Sequence, residues 1–541
     1  MVKINRITTI VIATITLFPF TPSIAQKKKA APSVEILQIP SDKNQYYGPY
    51  SPTLSSIRRH ECPEWFLDAK FGMFIDWGLY SVAGWAPKKE KGAMYPDWYM
   101  KNMLRDKDVK AYHEKTYGKD FQPDDFIPLF TAEDYRPDWL IDLANEAGMK
   151  YVIPFCKHHD GFCLWPSSHT MRDAMDMGPK RDLIRPLVEA CNRKGLKFGF
   201  YFSLDEWYYP VIDKDGNKLI REWANKGYYP WESSKEKIHL TGKRPVKDFF
   251  ADYIVPQANE FIDMYDPDIL WFDGDWDMSA DEYHSPDIIS HFYNHAAGRK
   301  EVAINDRNGR TRFQIGDFFC SEYHALPEGY EIRHPWEENR GISQSFGYNR
   351  EDTENNVLSP RDFIHMFIRT VSENGNLLLI VNLDGKGALP EMQERRLREI
   401  GQWLKINGEA IYATRPWLTS VQKMKGETVK INEGIFGGIV PTSDSSNQES
   451  APASTGEVRF TQSKDGKTVY AICTEFPKTN LEINSIHLSE NGKVTMLGSD
   501  GEELKWTHKP THERLTLSID IPSSLYDKRK SEHAWVFKIT L

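Results

Sequence analysis

Cysteine is scarce in this chain: six in 541 residues, at positions 62, 156, 163, 191, 320 and 473. So few, so widely spread, make no disulfide scaffold. Cys156 and Cys163 have no second pair to complete a zinc site, so small core side chains are the reading for all six. Positive charge is short as well. Lys and Arg number 68 against 77 Asp and Glu, a formal charge of −9, and no basic stripe stands out, which argues against a nucleic-acid partner. No apolar run reaches the roughly 20 residues that a membrane span needs. Internal repeats are also missing, which excludes a solenoid.

The apolar run at residues 7–18 carries a different message. Lys3 and Arg6 precede it, and Ser23-Ile24-Ala25 offers a small-residue cleavage site. This is the pattern of a signal peptide over residues 1–25, with an uncleaved anchor as the alternative. No cysteine lies near for lipid attachment. The expectation is a secreted or periplasmic protein with no membrane span after cleavage and a leader segment over residues 26–54. Oligomeric state is not legible.

What the chain has in quantity is aromatic rings: 16 Trp, 25 Tyr and 28 Phe. With 40% hydrophobic residues, that supports a large core and at least two domains. A surplus of Trp and Tyr also suits stacking on sugar rings, whose faces are apolar and whose rims are polar.

Between residues 60 and 405, short apolar runs alternate with amphipathic stretches. The strand-like runs are 71–76, 150–155, 196–202, 268–273, 301–305, 317–320, 343–348 and 376–382. Helical periodicity appears at 133–148, 182–195, 246–265, 287–298, 359–375 and 390–408, with Gly148, Gly195, Gly375 and Gly408 at expected C-caps. Eight strands with intervening helices predict an α/β fold, a (β/α)8-like TIM barrel over residues 55–410. Beyond it, stretches such as GEVRFTQSKDGKTVYAICTEF read as hairpins, so residues 411–541 are expected to form an antiparallel β-sandwich. Residues 441–456 read as an exposed low-complexity loop, and 208–245 as a long loop or lid.

The barrel gives meaning to DILWFDGDWD, residues 268–277, where a buried strand runs into Asp273, Asp275 and Asp277. Strand C-terminal ends line the active site of such a barrel. Asp76, Lys157-His158-His159-Asp160, Asp205, Asp273, Asn305-Asp306-Arg307 and Glu322 all sit at or just after strand ends. Six such ends carrying polar groups predict a site, against the plainer reading of surface residues and caps. The D-x-D-x-D run does not continue as a calcium loop, because Met278 and His284 occupy the positions where an EF-hand has Gly and Glu. Asp275 and Asp277 are therefore expected to be solvated. His158 and His159 have the chemistry of metal ligands, but adjacent residues of an extended segment point apart and seldom reach one ion.

Taken in order, FGMFIDWGLYSVAGW, KHHDGFCLWPSSHT, GPKRDLIRPLVEACNRKGLKFGFYFS, DILWFDGDW, AINDRNG, the stretch from Ser321 to Asn349 and NGNLLLIVNLDGKGALP resemble glycoside hydrolase family 29, the α-L-fucosidases. INGEAIYATRPW matches the segment leaving the catalytic domain. The resemblance spans roughly residues 55–420. It implies retaining hydrolysis of terminal α-L-fucosides on fucosylated oligosaccharides or glycoconjugates, with no metal or other cofactor. Asp273 matches the nucleophile. Glu322 is the first candidate for the acid/base, with Glu337 and Glu338 as rivals. His158 and His159 would bind sugar hydroxyls, and Arg307, Asp76 and Asp97 would hold the sugar with them. Trp77, Trp98, Trp271 and Phe346 would pack on the sugar, with plain core packing as the alternative for Trp77 and Trp98. Tyr201 is a further candidate. The chain departs from the family in having Asp76 where His is usual and Asp97 where Glu is usual. Asp76 replaces a group that donates and accepts by one that only accepts when ionised. An altered glycone, such as an α-L-galactoside, is therefore an alternative, as is a sugar-binding protein without catalysis.

Overall fold

A parallel sheet of eight strands is the centre of the larger domain in the computed structural model. The described residues are 48–89, 92–207, 249–276, 278–323, 334–424, 456–484, 486–510 and 515–541, with the backbone of short strands at 210–212, 218–220 and 428–429. The strands are β1 (Phe71–Asp76), β2 (Tyr151–Lys157), β3 (Lys197–Ser203), β4 (Ile269–Asp273), β5 (Ala303–Ile304), β6 (Phe319–Glu322), β7 (Trp336–Gly341) and β8 (Gly375–Asn382). They pair in the order β5-β4-β3-β2-β1-β8-β7-β6. A parallel bridge between Asn305 and Phe318 joins the two ends, beside the bond from the Asp317 N–H to the Ile304 carbonyl at 2.8 Å. The sheet thus curls into a closed, irregular barrel.

Alternation along each strand divides two cores. On β1, Phe71, Met73 and Ile75 face the surrounding helices. Phe74 joins Tyr151, Ile153, Phe155, Tyr201, Trp271, Leu378 and Ile380 in the barrel interior. Gly72 is a glycine because the Tyr151 ring fills its place; a β-carbon there would lie 2.2 Å from that ring. Six helices cover the strands: α1 (Pro137–Glu146), α2 (Arg185–Lys194), α3 (Val255–Tyr265), α4 (Ser285–Ala296), α5 (Pro360–Ser372) and α6 (Glu391–Asn407). Each has Pro at its start except α6, where Pro390 is the N-cap. A proline's missing N–H costs nothing in that first turn. No helix joins β5 to β6.

Three sequence expectations need correction. The seventh strand is WEENRG rather than SQSFGY; its polar content hid it, because a barrel interior can bury Glu337 and Asn339 where partners exist. Residues 343–348 instead form the loop beyond that strand. Gly375 begins β8, and Asn374 takes the left-handed conformation expected of a cap. Gly408 ends α6 in a right-handed conformation.

The C-terminal sheets are antiparallel. β9 (Thr414–Lys423), β10 (Glu457–Ser463), β11 (Thr468–Cys473), β16 (Trp535–Thr540) and β13 (Lys493–Met496) make one, in that order. β12 (Asn480–Asn484), β15 (Leu515–Asp520) and β14 (Trp506–Pro510) make the other. Leu481, Ile483, Leu517 and Ile519 pack against Val458, Val469, Phe537 and Ile539, a β-sandwich core. It is tied to the barrel by Arg459–Glu373 at 2.8 Å and by the Trp403 indole N–H on the Ala534 carbonyl at 3.2 Å. All six cysteines are free, and five are buried. The signal-peptide reading, nearly all of the 208–245 segment and the 441–456 loop (Gly456 apart) lie outside the described residues.

Candidate active site

β4 ends on Asp273 because Gly274 follows it. Gly274 has φ of +79°, and a β-carbon there would press within 2.9 Å of Asp205. The chain therefore turns away, and the Gly274 N–H donates to Asp273 Oδ1 at 2.8 Å. The Tyr201 hydroxyl, on neighbouring β3, donates to the other oxygen at 2.8 Å. Arg307, just beyond β5, places Nη1 3.4 Å from Asp273 Oδ1. Its other amino group bonds Glu322 at the end of β6. One guanidinium thus spans the two carboxylates that the sequence singles out as the catalytic pair. Burial alone would lower Arg307, but Glu322, Asp273 and Asp275 outweigh it and hold the guanidinium well above its ordinary value.

Both carboxylates open onto a cavity of about 890 Å³ at the C-terminal mouth of the barrel. Asp97, Trp98, His158, Tyr201, Trp271, Arg307 and Phe346 line it too. Phe155 stacks on Tyr201 with centroids 3.9 Å apart, and Trp271 lies 5.6 Å from the same ring. These rings form an apolar floor under polar walls, the usual make-up of a pocket for a small, partly apolar ligand.

The paired imidazoles do not point apart as an extended segment would have them: the strand ends at Lys157, His159 already sits in a turn, and the two ring centroids are 4.1 Å apart at 52°. His159 Nε2 lies 3.5 Å from Asp273 Oδ2, while its Nδ1 is 2.6 Å from the Ser203 hydroxyl. His158 Nε2 is 3.9 Å from Asp97 Oδ2. Burial holds both rings well below the ordinary histidine value, so they are neutral at physiological pH. Asp76 stands fully buried behind the cavity wall and accepts from the Tyr80 hydroxyl at 2.6 Å. Burial pushes it up to about 7. Asp97 is raised as well, first by burial and then by the charge of Asp76. Asp76 Oδ2, Asp97 Oδ1 and His158 Nδ1 are buried without a hydrogen-bond partner within the protein.

Other expectations fail. Trp77 turns from the cavity, packs on Phe130 and Tyr135 and donates to the Asp384 carbonyl at 2.7 Å, a core residue. Its neighbour Asp76 points inward, so alternation sends Trp77 out. Asp275 is not solvated: it is 3% exposed, near Arg307 and Arg312, and burial pushes it up to about 6. Asp277 lies outside the described residues. Glu337 points into the barrel interior, where it accepts from the Tyr151 hydroxyl at 2.6 Å and the Trp271 indole at 2.9 Å. Neither Glu337 nor Glu338 reaches the cavity wall. Sequence reasoning missed Tyr95, Lys101, Arg105 and Trp276, which do line it. Lys101 Nζ sits 4.4 Å from the Trp98 ring centre. The spacing of Lys101 and Arg105, one helical turn apart just past Trp98, was the available signal.

The chain's relatives carry the same architecture. A family model described as alpha-L-fucosidase matches residues 37–409, and one described as the alpha-L-fucosidase C-terminal domain matches 451–540. The plasma alpha-L-fucosidase of Rattus norvegicus is 30% identical, covering 91% of this chain and 94% of its own. The tissue alpha-L-fucosidase of Homo sapiens is 29% identical over 91% and 92%. The alpha-fucosidase of Thermotoga maritima, solved with a mechanism-based inhibitor, has a TM-score of 0.70 and 32% identity, covering 91% of this chain and all of that one. With a family model matched across the whole barrel, this chain belongs to the α-L-fucosidase family of glycoside hydrolases.

Proposed function

We propose that the protein is an exported, retaining exo-glycosidase that releases terminal α-L-fucose by double displacement, with Asp273 as nucleophile and Glu322 as acid/base. The observation that carries this reading is the Arg307 guanidinium held between those two carboxylates at the ends of β4 and β6. Retaining hydrolysis needs two carboxyl groups flanking one glycosidic bond. An Asp273 oxygen attacks the anomeric carbon as the bond to the aglycone breaks. Glu322 gives its proton to the departing oxygen from the carboxyl oxygen that Arg307 does not hold. Glu322 then takes a proton from water, whose oxygen attacks the same carbon and frees Asp273. Two inversions restore the α configuration.

The surrounding groups have separate tasks. Tyr201 and the Gly274 N–H orient Asp273 for in-line attack. His158 and Asp97, each with an unsatisfied buried atom, offer hydrogen bonds to sugar hydroxyls. Trp271 and Phe346 supply apolar surface for the ring face and the C5 methyl of a 6-deoxy sugar. Residues 55–410 act as the catalytic barrel and 411–541 as an accessory β-sandwich. Export rests on the charged, apolar and small-residue pattern of residues 1–25, and no described helix is long and apolar enough to cross a membrane.

A second reading has its own support. Asp76, where the family usually has His, is buried close to Asp97 and raised to about 7. A protonated carboxyl there can donate as well as accept, which changes how the wall behind His158 reads a hydroxyl. The glycone could then be a fucose-like sugar such as L-galactose. Hydrolysis of an aryl α-L-fucoside and its L-galacto analogue separates the two readings. Release of phenol by wild type, with a loss on the order of 10⁴-fold in Asp273→Asn, is the expected result. Unchanged turnover in Asp273→Asn overturns the assignment of the nucleophile.

A further inference from the structure

On the outer surface of the barrel, away from the cavity, α3 and α4 bring together three groups that fucoside hydrolysis does not use. His291 and His295 lie one turn apart on α4, and Asp263 faces them from α3. His291 Nε2 is 2.8 Å from Asp263 Oδ1, and His295 Nδ1 is 3.3 Å from the same oxygen. All three ligand atoms lie within 4.8 Å of one another. Donors at tetrahedral-zinc bond lengths stand about 3.3 Å apart, so small side-chain shifts would seat an ion here.

We propose that Asp263, His291 and His295 form a binding site for a divalent transition-metal ion, with zinc the best match to two imidazoles and a carboxylate. A second observation supports it. His295 Nε2 is 3.0 Å from Asp266 Oδ1, which leaves Nδ1 as the ring atom facing the proposed ion. Asp266 is itself fixed by two Arg299 bonds at 2.9 and 3.2 Å. A carboxylate behind a ligating histidine sets its tautomer and orientation, the usual second layer of a metal site. All three ligands are partly exposed, so an ion can enter from solvent and a water can complete the tetrahedron. The ion would clamp the helix that precedes β4 to the one that follows it. Its role is to brace the strand that carries Asp273, not to take part in the chemistry.

The test uses the full-length, untagged, chelator-stripped protein titrated with Zn²⁺ against a chromophoric competitor, with Co²⁺ absorption reporting ligand type. One equivalent is expected to bind, weakened at least tenfold in Asp263→Asn and abolished in His291→Ala/His295→Ala. Thermal midpoint should rise with Zn²⁺ in wild type and stay fixed in the double variant. Hydrolysis of an aryl α-L-fucoside should be unaffected by any of these substitutions, which keeps this test independent of the active-site assignment. No binding to wild type, or one equivalent retained in the double variant, overturns the proposal.

Discussion

Glu337 is a carboxyl whose burial makes a demand on stability that one substitution can isolate. It is fully buried in the barrel interior, and burial pushes it up to about 7 from 4.5 against the opposing hydrogen bonds from Tyr151 and Trp271. A carboxyl with a raised value binds its proton more tightly folded than unfolded. Its proton therefore stabilises the fold below about pH 4.5, and that contribution is lost as pH rises through 7. A rise from 4.5 to about 7 corresponds to about 3 kcal/mol. Glu337→Gln keeps an acceptor for the Trp271 indole and can donate to the Tyr151 hydroxyl, so it stays satisfied without titrating. Wild type and variant should melt together near pH 4.5, and the variant should gain with rising pH, reaching about 3 °C by pH 8 at the entropy of unfolding expected for this size. Asp76 and Asp275 slope the same way in both proteins, so the difference isolates position 337. Thermal melts across that range are the assay. A difference independent of pH refutes the reasoning, and turnover slowed by about 100-fold or more in Glu337→Gln would make Glu337 the acid after all.

Other predictions concern the cavity. Tyr201→Phe removes one charge-assisted bond to Asp273, so kcat/KM should fall about 10- to 100-fold, as about 1.5–3 kcal/mol implies, with the melting midpoint little changed. Glu322→Ala should slow substrates with poor leaving groups far more than activated aryl fucosides, which need little protonation; a uniform loss across leaving groups would remove Glu322 as the acid. Asp76→His should shift preference between fucosyl and L-galactosyl substrates, read as the ratio of their kcat/KM values, and an unchanged ratio would take Asp76 out of glycone selection.

The barrel was legible because its strands are short apolar runs closed by polar residues. Seven of the eight expected strands agree to within two residues at each end with β1, β2, β3, β4, β5, β6 and β8. β5 is shorter than its apolar run, because only Ala303 and Ile304 keep regular pairing with β4. β7 escaped because its inward positions are Glu337 and Asn339, stabilised by partners on other strands that no local pattern reveals. The same limit explains Trp77: its place depends on the direction of one side chain relative to Asp76, which burial decides. Asp273, Arg307 and Glu322 were readable one by one as strand-end polar groups. That a single guanidinium joins them follows only from barrel closure, through the pairing order that puts β4, β5 and β6 side by side around the mouth.

The most direct test of the central claim is to trap the covalent intermediate. A 2-deoxy-2-fluoro-α-L-fucosyl fluoride slows both steps by withdrawing electron density from the oxocarbenium-like transition state, while its fluoride leaves readily. Peptide mapping by mass spectrometry after brief incubation should find one fluorofucosyl group on the peptide containing Asp273, and none in Asp273→Asn. A label on a different carboxylate, or no label from an enzyme that releases the inverted sugar, would contradict the account.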